Sequence, residues 1–132
     1  YDPATASEVA VFGGRGPGGV LSTPVTATST QSGPTWLNYF ATGGGEVRAP
    51  SSAQVISVDQ IGGFHSVLLD HGNGWQSSLF GLSGVLPAVG TTVARGELLG
   101  QLPGTPTDAA QLRLGISYEG RALDPRRYVL PN

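Results

Sequence analysis

Cysteine and lysine are both missing from this chain of 132 residues. Without cysteine there is no thiol chemistry, no thiolate-bound zinc and no disulfide framework. Redox usage therefore leaves the compartment open, although the absence is compatible with an oxidising, extracytoplasmic setting. Without lysine every basic residue is an arginine, and the net charge is only −2. Acids and bases are scattered rather than clustered, so the chain lacks the basic patch that nucleic acid or an anionic membrane surface requires. Long apolar runs are missing too. Stretches such as "SVLLD" are far too short to cross a bilayer, which argues against membrane insertion of this fragment. Nothing from Tyr1 onward has the pattern of a signal peptide, and no window of ten or more residues repeats apolar positions at helical spacing.

What is present is glycine and proline, 21 and 10 residues respectively, punctuating short strand-like runs. The length suits about one domain, able to bury roughly two-thirds of the surface of its unfolded form. The pattern predicts an all-β fold with strands at 20–28, 36–40, 46–48, 54–59, 65–70, 76–80, 92–94, 98–102 and 111–118. Turns fall at "TGGG", "QIGG", "HGNG", "PAVG", "PGTP" and "YEG", where glycine takes positive φ at little cost. One helical turn is expected at "LDPRRY", with Asp124 as cap and Pro125 in the first helical position. Residues 1–19 read as an extended arm or linker, in which "EVAVF" has the character of an edge strand, and 20–132 read as the folded domain.

The stretch most like an active site is "DHGNGWQ", around His71. Asp70 and His71 are neighbours on a strand and point to opposite faces, which disfavours a triad. His65 and His71 share a face but lie roughly 20 Å apart, too far for one metal ion. The expected role of His71 is a hydrogen bond to the turn at a strand end. "GRGPGG" at 14–19 fits a dinucleotide fingerprint formally, but "VLSTPVT" follows it where a helix would be needed. "GLSGV" lacks the second glycine and the helix of a nucleophile elbow.

From Gly45 onward the phrases "GGEVRAP", "AQVISV", "GGFHSVLLDHGNGWQSSLFGLS", "VGTTVARGELLGQL" and "LRLGISYEGRALDPRRYV" follow one another in a distinctive order. In that order and spacing, over about two-thirds of the chain, the sequence resembles the lysostaphin-type zinc endopeptidases of the bacterial cell wall. The resemblance implies an antiparallel two-layer β-sandwich of barrel-sandwich-hybrid-like form. In catalytic members an early His and Asp and the second His of a late His-x-His hold zinc. The first His of that pair and a His in Tyr-x-His-Leu assist the attack of water. Matched residue by residue, these positions hold Pro34, Asn38, Arg113, Gln111 and Gly81. A guanidinium is always protonated and has no lone pair for a metal, so the expectation is a pseudo-peptidase with no metal, no cofactor and no catalytic residues.

That outcome resembles the degenerate branch of the family, the murein hydrolase activators of bacterial cell division. It implies an extracytoplasmic domain, in the periplasm or cell envelope, whose vacated groove binds and activates a peptidoglycan hydrolase such as a wall amidase. In that branch a coiled coil or another segment often precedes the domain, which would suit a fragment beginning at Tyr1. Groove residues expected to meet the partner are Trp36, Asn38, Tyr39, Trp75, Gly81, Gln111 and Arg113, because Trp, Tyr and Arg dominate interface hot spots. Against this, Trp36 and Tyr39 could pack in the core, and Arg113 could pair with Glu97 or Glu119. Two other functions compete: an envelope scaffold or peptidoglycan-binding module, and a barrel-sandwich-hybrid adaptor of a secretion complex, the latter without a modifiable lysine.

Overall fold

A computed structural model describes residues 21–129 apart from 73 and 85. The expected arm at 1–19, with "EVAVF" and the glycine-rich motif at 14–19, lies outside the described residues. The fold is all-β: ten strands and, as the only helical element among the described residues, a single 3-10 turn at Pro125–Arg127. Asp124 caps that turn, its carboxylate accepting from the Arg126 backbone N–H, and proline stands at its start. Both features follow from a proline that needs no N–H partner and a side chain that supplies one.

The strands are β1 (Ser29–Ser32), β2 (Leu37–Thr42), β3 (Glu46–Arg48), β4 (Ala53–Ile61), β5 (Phe64–Gly72), β6 (Trp75–Leu82), β7 (Thr92–Val93), β8 (Leu98–Gln101), β9 (Ala109–Tyr118) and β10 (Arg121–Leu123). Eight form one sheet in the order β1-β2-β9-β6-β5-β4-β7, with β10 pairing β9, while β3 and β8 form a second sheet. All these pairings are antiparallel. β9 lies inside the sheet between β2 and β6, and its alternation sets its two faces: Leu112, Leu114 and Ile116 are buried while Gln111 and Arg113 are exposed, so one face feeds the core and the other meets solvent. Val47 of β3 and Leu99 of β8 join the same buried cluster as Leu69, Leu79, Leu112 and Leu114.

Two tight turns are built as the sequence suggests. Ile61 pairs with Phe64, which leaves Gly62 and Gly63 as a two-residue loop, with Gly62 at φ 63°. Tyr118 pairs with Arg121 around Glu119 at φ 49° and Gly120 at φ 81°. Positive φ at both central residues, as at Glu119 and Gly120, or at the first alone, as at Gly62, gives the turn twist that matches the right-handed twist of the flanking strands. The second of these creates β10, which the sequence pattern does not announce.

One expected strand is absent. Residues 21–28 form no strand; their backbone bonds include Leu21 to Tyr128, Ser22 to Pro50, Pro24 to Arg48 and Thr28 to Phe40, and a bridge joins Leu21 to Val129. Pro24 has no N–H to give a ladder, so regular pairing starts later, at Ser29.

The β5–β6 ladder is broken at both ends. Ser66 faces Phe80 while His65 faces Leu82, which leaves Gly81 as an extra residue. At the other end Asp70 faces Gln76 and Gly72 faces Trp75, leaving His71 extra. Each is a β-bulge, a device that re-aims side chains at strand ends.

Candidate functional site

Three strands bring the site together. Arg113 of β9 stands opposite Asn38 of β2 on one side and Phe80 of β6 on the other. The Arg113 Nε–H donates to Asn38 Oδ1 at 2.9 Å, and the guanidinium carbon lies 4.6 Å from the centre of the Trp36 ring. Asn38 is buried, with 6% of its surface exposed, so the arginine is held by a fixed acceptor below and an aromatic face beside it. Trp36 owes its place to Gly33, whose N–H donates to the Trp36 carbonyl at 3.0 Å; a Cβ on Gly33 would overlap the indole.

A cavity of about 270 Å³ opens beside this cluster, lined by Asn38, Phe64, Phe80, Gly81, Gln111 and Arg113. Phe64 and Phe80 form its apolar wall, with ring centres 6.0 Å apart. Gly81 is at φ 115°, and a Cβ there would come to 2.7 Å from the Gln111 carbonyl oxygen. Only glycine lets β6 approach β9 this closely at the bulge. Neither phenylalanine stands out from the linear pattern of apolar runs. The available signal is that Phe80 shares a strand face with Gln76 and Ser78, where an aromatic ring has no core to enter.

The structure thus gathers Trp36, Asn38, Gly81, Gln111 and Arg113, but separates Tyr39 and Trp75 from them. Tyr39 follows Asn38 on β2 and so points to the opposite face; it is 2% exposed, and burial pushes its hydroxyl pKa up to about 12. Trp75 is wholly buried, packed against a tilted Tyr118 ring at 4.6 Å and edge-on to Tyr128 at 5.3 Å. Both are core residues rather than groove walls. Pro34 sits in an exposed bend before β2. Glu97 turns back to accept from the Ala94 N–H, and the interactions of Arg113 are with Asn38 and Trp36 rather than with Glu97 or Glu119.

His71 is elsewhere again. Its Nδ1 lies 2.9 Å from the Ser52 carbonyl and its Nε2 2.7 Å from Ser77 Oγ. A carbonyl only accepts, so Nδ1 carries the proton, and Nε2 of the neutral ring accepts from the Ser77 hydroxyl. Burial lowers the His71 pKa, against the opposing pull of the Ser52 carbonyl. The pair has the bonding of a serine activated by histidine, yet Ser77 is 1% exposed and out of reach of any substrate. The bulged histidine ties β5 and β6 to the segment before β4, and in the adjacent turn the Gly72 N–H is satisfied by Asp70.

The donors around Arg113 do not suit zinc. Asn38 offers a neutral oxygen already bonded to a guanidinium, Gly81 has no side chain, and Arg113 has no lone pair. Among the described residues no three His, Cys, Asp or Glu side chains come close enough to hold a metal ion, and a catalytic zinc site takes three protein ligands. The cluster can hydrogen-bond and attract an anion.

Against known proteins, the model for "Peptidase family M23" matches residues 36–125. An uncharacterised protein of Neisseria meningitidis serogroup B is 28% identical over 92 residues, 69% of this chain and 15% of that protein. Csd3 of Helicobacter pylori superposes with a TM-score of 0.72 at 21% identity, over 87% of this chain and 36% of Csd3. The catalytic domain of the antimicrobial peptidase lysostaphin from Staphylococcus simulans superposes with a TM-score of 0.62 at 21% identity, over 74% of this chain and 89% of that domain. At such identities the structural likeness speaks for the fold alone. This chain spans only a small part of the Neisseria protein and about a third of Csd3.

Proposed function

Since this chain belongs to Peptidase family M23, we propose that it is a non-catalytic member, a cell-envelope domain that binds and activates a peptidoglycan hydrolase such as a wall amidase. The observation behind this reading is the Arg113–Asn38 hydrogen bond, at two positions that would hold zinc ligands in a catalytic relative. A fixed cation there repels a metal ion and leaves a binding groove. Peptidoglycan and its hydrolases, outside the cytoplasm, are the setting the family implies. No cofactor enters the proposal. Among the described residues no helix is long and apolar enough to cross a membrane.

The test compares three samples on purified sacculi: the domain alone, a wall amidase alone, and both together. The domain alone is expected to release nothing, and the mixture to release more than the amidase by itself, with the stimulation lost in Arg113→Glu. Stoichiometric zinc uptake together with cleavage of muropeptides would sink the reading.

A second reading, a module that binds wall peptides directly, is favoured by the chemistry of the cavity lining. One guanidinium and two amides beside Phe64 and Phe80 offer what a peptide end needs. Pelleting of the domain with sacculi in the absence of any other protein is its expected result, and a domain that stays in the supernatant contradicts it.

A further inference from the structure

Arg113 brings more hydrogen-bonding capacity to the cavity than the protein uses. Of its five N–H donors, one goes to Asn38 Oδ1, and among the described residues no acceptor takes the four on Nη1 and Nη2. The side-chain amide nitrogen of Asn38 and the whole amide of Gln111 are likewise without partners among the described residues. The guanidinium plane is set by Trp36 and its rotation by Asn38, so little side-chain entropy remains to be lost on binding.

The charge in the cavity narrows the ligand. Its lining holds one cation and no acid. A single guanidinium matches a monoanion, and its planar fork matches a carboxylate bidentately; a phosphate dianion would call for a second cation. Phe64 and Phe80 offer a small apolar wall beside the fork. Asn38 and Gln111 offer the donor and acceptor that a peptide unit needs.

We propose that Arg113, Asn38 and Trp36 form a receptor for the C-terminal carboxylate of a short extended peptide, with its last side chain against Phe64 and Phe80. This rests on the metal-free reading of the groove and adds a ligand to it. A guanidinium pairs with a free carboxylate but neither polarises an amide carbonyl as a metal does nor generates hydroxide. The site therefore reads chain ends, not interior peptide bonds.

The experiment titrates the full chain with N-acetyl-alanyl-alanine, in L and D configurations, and with the C-terminal amide of each, following heat and the Arg113 side-chain N–H resonance. The acid of at least one configuration is expected to bind about tenfold or more tightly than its amide, the worth of one charge-assisted bidentate pair. That advantage is expected to vanish in Arg113→Gln, to be partly kept in Arg113→Lys, and to shrink in Trp36→Leu. The proposal is overturned if acid and amide bind alike, or if the acid of neither configuration binds at about 10 mM, the weak end of specific recognition. It is equally overturned if a peptide amide with an internal glutamate competes as well as the free acid, since the carboxylate then need not end a chain. Zinc uptake is measured on the same samples. Metal binding defeats the metal-free reading, whereas a zinc-free domain indifferent to the acid defeats only the receptor.

Discussion

Two bulges interrupt one ladder, and the polar groups beside them have opposite fates. At the His71 end both ring nitrogens are occupied by Ser52 and Ser77, and Ser77 is buried. At the Gly81 end Arg113 spends one donor on Asn38 and turns the rest toward an open cavity. A polar group whose bonds are all made inside the protein serves the fold. One that is anchored by part of its capacity and exposed with the remainder is equipped to bind. The residue that looks more like chemistry, a histidine on a serine, is the structural one.

The comparison is broken most forcefully at the His71 end. Trp75→Ala, which removes a wholly buried indole packed against two tyrosines, is expected to cost about 3–5 kcal/mol in urea unfolding. Trp36→Ala, at the other end, is expected to cost about 1 kcal/mol or less, since it gives up one cation–π contact at a half-buried site. Equal losses would erase the distinction between core and groove tryptophans.

His71→Ala is expected to lose about 1–3 kcal/mol by stranding the Ser77 hydroxyl and the Ser52 carbonyl. Its protonation gives a sharper test. The folded pKa lies below the usual 6.5, so below that pH the unfolded chain binds the extra proton first. Stability contributed by the neutral ring is complete above about pH 6.5 and drains away as pH falls, by at most about 1.4 kcal/mol per unit for one proton. Unfolding measured from pH 7 to pH 5 should show this slope in the native chain and a shallower one in His71→Ala. The capped Asp124, whose pKa is lowered by the Arg126 side chain, loses its contribution only at more acidic pH, as the carboxylate protonates.

The smallest effect expected is the stability change in Arg113→Gln, within about 1 kcal/mol, because a largely exposed group forfeits one hydrogen bond and one stacking contact. A loss of several kcal/mol would make Arg113 a structural residue like His71 and would collapse the contrast.

Much of this was legible in the chain. The alternation in "QLRLGISY" separates Leu112, Leu114 and Ile116 from Gln111 and Arg113 before any coordinates, and "LDPRRY" announces its cap and turn. The polar edge strand "STQS" was not legible, because its pairing with β2 is decided by a neighbour and not by its own apolar pattern. Trp75 and Tyr39 were misplaced for a related reason. Composition marks an aromatic residue as valuable, but the face it takes follows the alternation of its strand: Tyr39 shares a face with Leu37 and not with Asn38 on β2, and Trp75 shares the buried face of Ser77 and Leu79 on β6. Phe80 entered the site on the same face as Gln76 and Ser78, and Phe64 meets it there.

The bulge at Gly81 also bears on engineering. A side chain at that position would have to tolerate φ 115° and a carbonyl oxygen 2.7 Å from its Cβ. Reinstalling four histidines and an aspartate at the aligned positions is therefore not a matter of side chains alone, since the backbone at Gly81 would first have to shift away from the Gln111 carbonyl. At this position it is the path of the backbone, and not only the choice of side chain, that decides what the groove can carry.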